Sequence, residues 1–549
     1  MGIAGHLPVM TNWEDYEEKM ISKTGSILEL EGYFRIRSLG DGSRLLRSFL
    51  CRSDRGRPVV LKIFPKGEAK EQPKRGATLF DPKEQLRELD HLSKLLRNEP
   101  CLCPMIPVGN SPNAIYLTRQ FFRRSLYDRI LSLPRLIPEE KLFFSFQILR
   151  AVDRLHGLGA FHGDISCENI MVTSWGWVVI CDFASHKPFT LNANDPAEYD
   201  SWFLTKERNR CYIAPERFRS RRKDRGKRTS SAHTGTSSRA QQMIKRQMAD
   251  IFSVGCVLAE GRYNPGKKLE RVANIRVQSM IRQMLNSVPG QRGSAKSHLQ
   301  QECGKLFPRS FQFLFALMSG LLLPGLGDGD ARLLYFAAQS RTILKELAIG
   351  DDVATTSLGE SLGLLESTIA YITGLDLSSG AVADLPSRRM RLLSKLPSTI
   401  PEGKKGGGRE AASAIGIIAT VVFATLPLTV WPKSRCVGLR LLMALSPHLP
   451  ANLIVEVGLP VLITLTKDAD PSVRCAAIRA TTRLLEALRF LSKRSSSSSS
   501  SSLGSPRLFT DYVFPEMAKK LQDCEEGEEE GRLRGGVGAE GNDVKKITI

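Results

Sequence analysis

The chain has 549 residues, 42% hydrophobic and 25% charged, with a formal net charge of +21. Single cores seldom grow past roughly 250 to 300 residues, so this length implies more than one domain, and the apolar content excludes a chain disordered throughout. The positive balance favours an acidic or membrane-surface partner without specifying a fold, and the 11 cysteines include no Cys-x-x-Cys pair, so reduced thiols are the economical reading.

Residues 1–31 lack the apolar run of a secretory signal. They open Met1-Gly2, which makes Gly2 a candidate for myristoylation, with His6 where the acyl-transfer motif prefers Ser or Thr. The segment after Gly32 reads as strands: Tyr33 to Arg37 leads into Gly40-Asp41-Gly42, and Pro58 to Phe64 is a β-branched run carrying Lys62. Gly40 and Gly42 keep two glycines of a Gly-x-Gly-x-x-Gly phosphate loop; Leu45 replaces the third, and Asp41 between them would repel phosphate. Pro82 to Arg97 spaces Leu86, Leu89, Leu92, Leu95 and Leu96 as one helix face. On it Glu88 is the candidate partner of Lys62, with Glu84 as competitor. Glu139 to Leu155 reads as a further apolar-periodic helix.

The chemistry concentrates in His162-Gly163-Asp164-Ile165-Ser166-Cys167-Glu168-Asn169, then Cys181-Asp182-Phe183-Ala184 and Ala214-Pro215-Glu216. In protein kinases an Asp five residues before an Asn, then an Asp before Phe, orient the hydroxyl nucleophile and hold the nucleotide's metal ions. Asp164 is thus the candidate catalytic residue, Asn169 and Asp182 the candidate Mg2+ ligands, and Lys62 the group for the α- and β-phosphates of ATP or GTP. Two positions depart from the pattern. Gly163 replaces the Arg that pairs with a phosphorylated activation loop, and Ala184 replaces a Gly, narrowing the backbone's freedom. Both suit a kinase fold held in one state.

Arg219 to Arg246 is rich in Arg, Lys, Ser and Thr and reads as a disordered basic insertion, 219–246; no aromatic platform accompanies the charge, so no nucleic-acid partner is expected. Met248 to Gly255 resembles the Asp-x-x-Ser-x-Gly start of a kinase's buried central helix, with Asp250 capping the catalytic-loop backbone. Pro289-Gly290-Gln291-Arg292 resembles the segment whose arginine, here Arg292, pairs with Glu216. The spacing from Gly261 to Val277 is short for a complete large lobe, through trimming or lost residues.

These assignments give a kinase-like domain at 32–305 and a helical linker region at 306–410. HEAT repeats are expected at 411–523, from a helix around Val457 to Leu465, the turn Lys467-Asp468-Ala469-Asp470-Pro471 and a second helix opening Ser472-Val473-Arg474. A serine tract at 495–502 interrupts them, and 524–549 reads as a disordered acidic tail. Ala411 to Trp431 is 21 residues without a charge, long enough to span a bilayer; its place before Cys436 to His448 favours a buried repeat helix, with a membrane-spanning kinase as the alternative. The expected fold is an α+β bilobal protein kinase followed by an all-α HEAT-repeat solenoid.

His162 to Phe218 resembles the protein-kinase-like regulatory subunits of class III phosphatidylinositol 3-kinase complexes, the vacuolar-protein-sorting adaptors of endosomes and autophagy. The resemblance is carried by His162-Gly163-Asp164-Ile165, Glu168-Asn169-Ile170-Met171-Val172-Thr173-Ser174-Trp175, Asp182-Phe183-Ala184-Ser185, Asp195-Pro196-Ala197 and Cys211 to Phe218. It implies a scaffold for the lipid kinase catalytic subunit and its autophagy-related adaptor on endosomal, vacuolar or autophagic membranes, with weak or no phosphotransfer. An active serine/threonine kinase is the alternative. The basic insertion is foreign to that family, and no Gly-His to Trp-Asp repeat of its C-terminal propeller is found, so a truncated member is expected.

Overall fold

The computed structural model describes residues 27, 30–39, 47–65, 82–184, 187–193, 195, 199, 202–203, 211–219, 239–262, 274–322, 329–339, 408–446, 449–495 and 515. Gly2, Gly40, Gly42, most of the basic insertion, most of the 306–410 region, nearly all of the serine tract and the acidic tail lie outside these residues. Two compact units divide between Leu322 and Leu323.

In chain order the first unit contains β1 (Tyr33–Ser38), β2 (Arg47–Ser53), β3 (Pro58–Pro65), α1 (Pro82–Leu95), β4 (Leu102–Cys103), β5 (Ile106–Asn110), β6 (Ala114–Gln120), β7 (Arg124–Ser125), α2 (Leu126–Leu131) and α3 (Pro138–Gly157). Then follow β8 (Ile170–Val172), β9 (Val178–Cys181), β10 (Leu191–Asn192), β11 (Phe218–Arg219), α4 (Arg239–Arg262), α5 (Ile275–Met284), α6 (Ala295–Glu302) and α7 (Ser310–Gly320). A five-stranded antiparallel sheet, β1-β2-β3-β6-β5, forms the first lobe. Side chains alternate across β3, so Leu61 and Ile63 join Phe49, Cys51 and Tyr116 on one face, while Phe64 joins Leu89 of α1, Met105, Ile115 and Leu117 on the other. That second face carries Lys62, paired in register with Leu117, and Arg119, paired with Val60.

The larger lobe is built on α3, whose Phe143, Phe144, Phe146, Ile148, Leu149, Val152 and Leu155 are all buried. A small sheet, β4-β9-β8-β7, holds the catalytic loop between α3 and β8. Two differences from the sequence reading have physical causes. Residues 239–246, expected in a disordered insertion, are helical within α4, because the apolar stripe downstream extends the helix and Arg246 stacks over Phe161 and Phe189 at 4.7 and 5.7 Å. The unit also continues past residue 305, since Phe307, Phe311 and Phe315 set their rings edge-on to Phe146 at 5.7, 5.8 and 6.2 Å. Residues 263–273, where the chain looked short, lie outside the described residues.

The second unit is helical: α8 (Gly329–Ala338), α9 (Gly408–Thr425), α10 (Pro432–Leu445), the short α11 (Ala451–Leu453), a π turn at Ile454–Gly458, α12 (Leu459–Leu465) and α13 (Pro471–Ser495). The Asp-rich turn works by capping. Asp470 accepts the Ser472 N–H at 2.8 Å at the start of α13, and Asp468 pairs with Arg435 of α10 at 2.6 Å. Asp330 of α8 accepts the Val430 and Trp431 N–H groups at 2.8 and 3.2 Å. Among the described residues no helix is long and apolar enough to cross a membrane.

Candidate nucleotide and phosphotransfer site

The catalytic loop is held from beneath by Asp250, a fully buried carboxylate of α4. It accepts the His162 N–H at 2.8 Å and the Gly163 N–H at 2.9 Å, and contacts His156 Nε2 at 3.1 Å. Burial alone would raise its pKa; the hydrogen bond and charge of His156, with those of His162, outweigh burial and hold it low. His162 is also fully buried, and burial lowers its pKa. Its Nδ1 accepts the Asp164 N–H at 3.2 Å, which assigns the proton to Nε2, donated to the Cys181 carbonyl at 2.8 Å. The imidazole thereby ties the catalytic loop to the strand end that presents Asp182.

Asp164 and Asn169 come together as the motif spacing requires. The Asn169 amide nitrogen donates to the Asp164 carbonyl at 2.7 Å and to its carboxylate at 3.2 Å. The same carboxylate oxygen receives Lys187 Nζ at 2.6 Å. Lys187 lies in the segment after Asp182 and also sits over the Phe203 ring at 4.6 Å.

Asp182 has a φ of +63°, the left-handed region that a non-glycine residue adopts only when its surroundings enforce it. Two cations hold its carboxylate. Lys62 Nζ lies 2.8 Å from Oδ1, while Arg119 donates Nε to Oδ1 and Nη2 to Oδ2, both at 2.9 Å. Burial would raise the Asp182 pKa, but Arg119 and then Lys62 hold it far below the usual carboxylate range. Glu88, the expected partner of Lys62, is instead exposed on α1, where its charge favours protonated Arg246; the Glu84 side chain lies outside the described residues.

Gly163 has a φ of +82°, and a Cβ there would meet the Ala184 carbonyl oxygen at 3.3 Å. The position therefore selects glycine on backbone grounds. In compensation Arg217, buried just after Ala-Pro-Glu, donates to the carbonyls of Gly163 at 2.8 Å and of Phe189 and Pro188 at 3.0 Å each. Glu216 is held by fully buried Arg292 through two bonds of 2.7 Å, and Arg292 further donates to the Asn286 and Met248 carbonyls at 2.7 and 2.9 Å.

The donor set fits a hard divalent cation: an ionised Asp182 and the amide oxygen of Asn169, whose nitrogen is turned toward Asp164. A protein kinase domain implies ATP and Mg2+, and these two residues would hold the metal. Bound there, such an ion would supply positive charge to the phosphates. Sequence reasoning missed Arg119, Lys187 and Arg217. Arg119 sits between Thr118 and Gln120 at the polar end of a strand and gave no signal; nor did Lys187 and Arg217, because all three act on partners remote in sequence.

Residues 33–303 match the protein kinase domain family, and residues 418–527 match the PIK3R4-like middle domain. The serine/threonine-protein kinase VPS15 of Arabidopsis thaliana is 26% identical over 547 residues, covering 89% of this chain and 34% of the relative. That of Schizosaccharomyces pombe is 28% identical over 554 residues, covering 90% and 30%. The Saccharomyces cerevisiae protein of the same name is 31% identical over 294 residues, covering 49% and 19%. The chain thus spans about a third of the length of the curated relatives it matches along most of its own length. With a kinase domain followed by a PIK3R4-like middle domain, and these relatives across eukaryotes, the chain belongs to the VPS15-like protein kinase family.

Proposed function

We propose that this chain acts as a regulatory, protein-kinase-like scaffold of a class III phosphatidylinositol 3-kinase complex, with a kinase lobe that binds ATP or GTP and transfers little phosphate. One observation carries the low-transfer reading: both functional carboxylates are engaged by cations of the chain itself, Asp164 by Lys187 at 2.6 Å and Asp182 by Lys62 and Arg119 at 2.8 to 2.9 Å. With one carboxylate oxygen of Asp164 bonded to both Lys187 and Asn169, a substrate hydroxyl has to compete for that oxygen. Lys62 would meet the α- and β-phosphates, and Gly40 and Gly42 would lie over them. Arg217 and Arg292, each hydrogen-bonded to several groups, support a segment that needs no phosphorylation to stay in place. The partners are the lipid kinase catalytic subunit and its autophagy-related adaptor, at endosomal, vacuolar or autophagic membranes, with HEAT repeats in the helical unit and a myristoyl group on Gly2 aiding attachment.

The second reading, an active serine/threonine kinase, is favoured by Asp164 and Asn169 in mutual contact. Radiolabelled ATP with a generic protein substrate separates the two. The scaffold reading expects phosphate transfer no greater from the wild-type chain than from Asp164→Ala; transfer abolished by the substitution would establish the enzyme instead. Copurification of the class III lipid kinase from cells is the expected outcome for the scaffold, and its absence would remove that role.

A further inference from the structure

We infer that Arg119 is a built-in counter-cation of the nucleotide site, so that nucleoside triphosphates bind here with little dependence on divalent metal. This rests on the proposed nucleotide binding and concerns how that same site meets a polyanion.

Arg119 and Lys62 lie on the same face of adjacent strands, β6 and β3, as the register pairs Val60 with Arg119 and Lys62 with Leu117. Both reach one carboxylate, Asp182, and all three side chains are shielded, with 6% of Arg119, 15% of Lys62 and 14% of Asp182 exposed. Arg119 is fixed by a third bond, Nη1 to the Gln120 carbonyl at 3.1 Å, so the guanidinium is an installed part of the wall. One negative group against two positive ones leaves the cluster positive before any ligand arrives. A guanidinium does not lose its proton in a protein, so this charge is permanent.

A metal ion seeking Asp182 must displace a bidentate, charge-assisted pair from a shielded position, and would then stand beside two fixed cations. A triphosphate meets the opposite situation, since Lys62 and Arg119 already supply the positive charge that the metal would bring. Asn169 and Asp182 retain oxygen atoms for the metal, so the ion can still bind; the structure makes it an addition to nucleotide binding.

The test is fluorescence titration of the full chain with mant-labelled ATP and GTP, in excess magnesium and in EDTA. The expected wild-type dissociation constants agree within about threefold between the two conditions, whereas Arg119→Met binds about tenfold or more weakly in EDTA than in magnesium. Arg119→Lys, which keeps the charge, holds the wild-type ratio and serves if the methionine variant fails to fold, as judged by circular dichroism. Wild-type binding seen in magnesium and lost in EDTA overturns the inference and leaves the nucleotide reading standing. A magnesium-to-EDTA ratio unchanged in a folded Arg119→Met also overturns it. No binding in either condition overturns both.

Discussion

Gly163 and Arg217 meet at one backbone carbonyl: the glycine adopts the left-handed conformation, and Arg217 donates to its oxygen at 2.8 Å. Arginine at 163 would need the +82° φ that disfavours side chains, and its Cβ would press on the Ala184 carbonyl. Arg217 supplies charge from the opposite side and spends it on three backbone carbonyls. Replacing Arg217 by Ala leaves those three half-buried carbonyls without their donor, and each lost bond costs about 1 kcal/mol. The expected outcome is a loss of about 2 to 4 kcal/mol in urea denaturation; an unchanged midpoint would show that the carbonyls find other donors. Asp164, Asn169 and Asp182 were readable as candidates because their motif spacing is local, and Lys62 because it stands in a β-branched strand, though its contact with Asp182 was not foreseen. Arg119, Lys187 and Arg217 were not, since they act across 63, 23 and 54 residues of sequence, distances only the folded chain closes.

Among elements, α4 carries the catalytic loop, and its apolar side chains bury Ile251, Val254 and Val257 while Asp250 reaches the loop backbone. Gly255 lets α5 approach, as a Cβ there would lie 2.9 Å from Met284 Cβ. This helix was readable from Met248 onward by its motif, but not its first turns, where charged residues conceal a helix that tertiary contacts extend. The histidines held by these elements set a pH dependence. Burial lowers the pKa of both His162 and His298, and His298 donates Nε2–H to the Arg292 carbonyl at 2.7 Å. The folded state therefore favours the neutral rings, so their stabilisation is complete above the unfolded pKa near 6.5 and declines as pH falls below it. Thermal unfolding from pH 8 to 5 should show a plateau and then a fall, with a limiting slope of roughly 1.4 kcal/mol per pH unit for each histidine. The depressed Asp250 adds a loss only at lower pH, below the ordinary carboxylate value near 4. A midpoint independent of pH from 7 to 5 would contradict buried neutral rings; a His298→Gln variant should lose part of the slope.

On the scale of the whole molecule, the long uncharged stretch of α9 is the place where sequence left two architectures open, a membrane span or a solenoid helix. The helix that forms ends at Thr425, and among the described residues no helix is long and apolar enough to cross a membrane. Its packing agrees. Ile415, Ile417, Ile418, Val421, Val422 and Phe423 are all buried within the helical unit, and glycines on neighbouring elements admit the contact. A Cβ on Gly438 of α10 would stand 2.7 Å from a Leu426 methyl, and one on Gly458 would stand 3.0 Å from Phe423 and 3.2 Å from Leu484. Filling these positions should force α9 away from its neighbours. Gly458→Leu, which would press on Phe423 of α9, is expected to cost about 1 to 3 kcal/mol by overpacking and to expose the apolar faces of α9, read as a lower melting temperature and increased binding of the dye ANS. If the substituted chain melts unchanged and binds no more dye, α9 does not depend on this neighbour for burial and the solenoid account of this stretch fails.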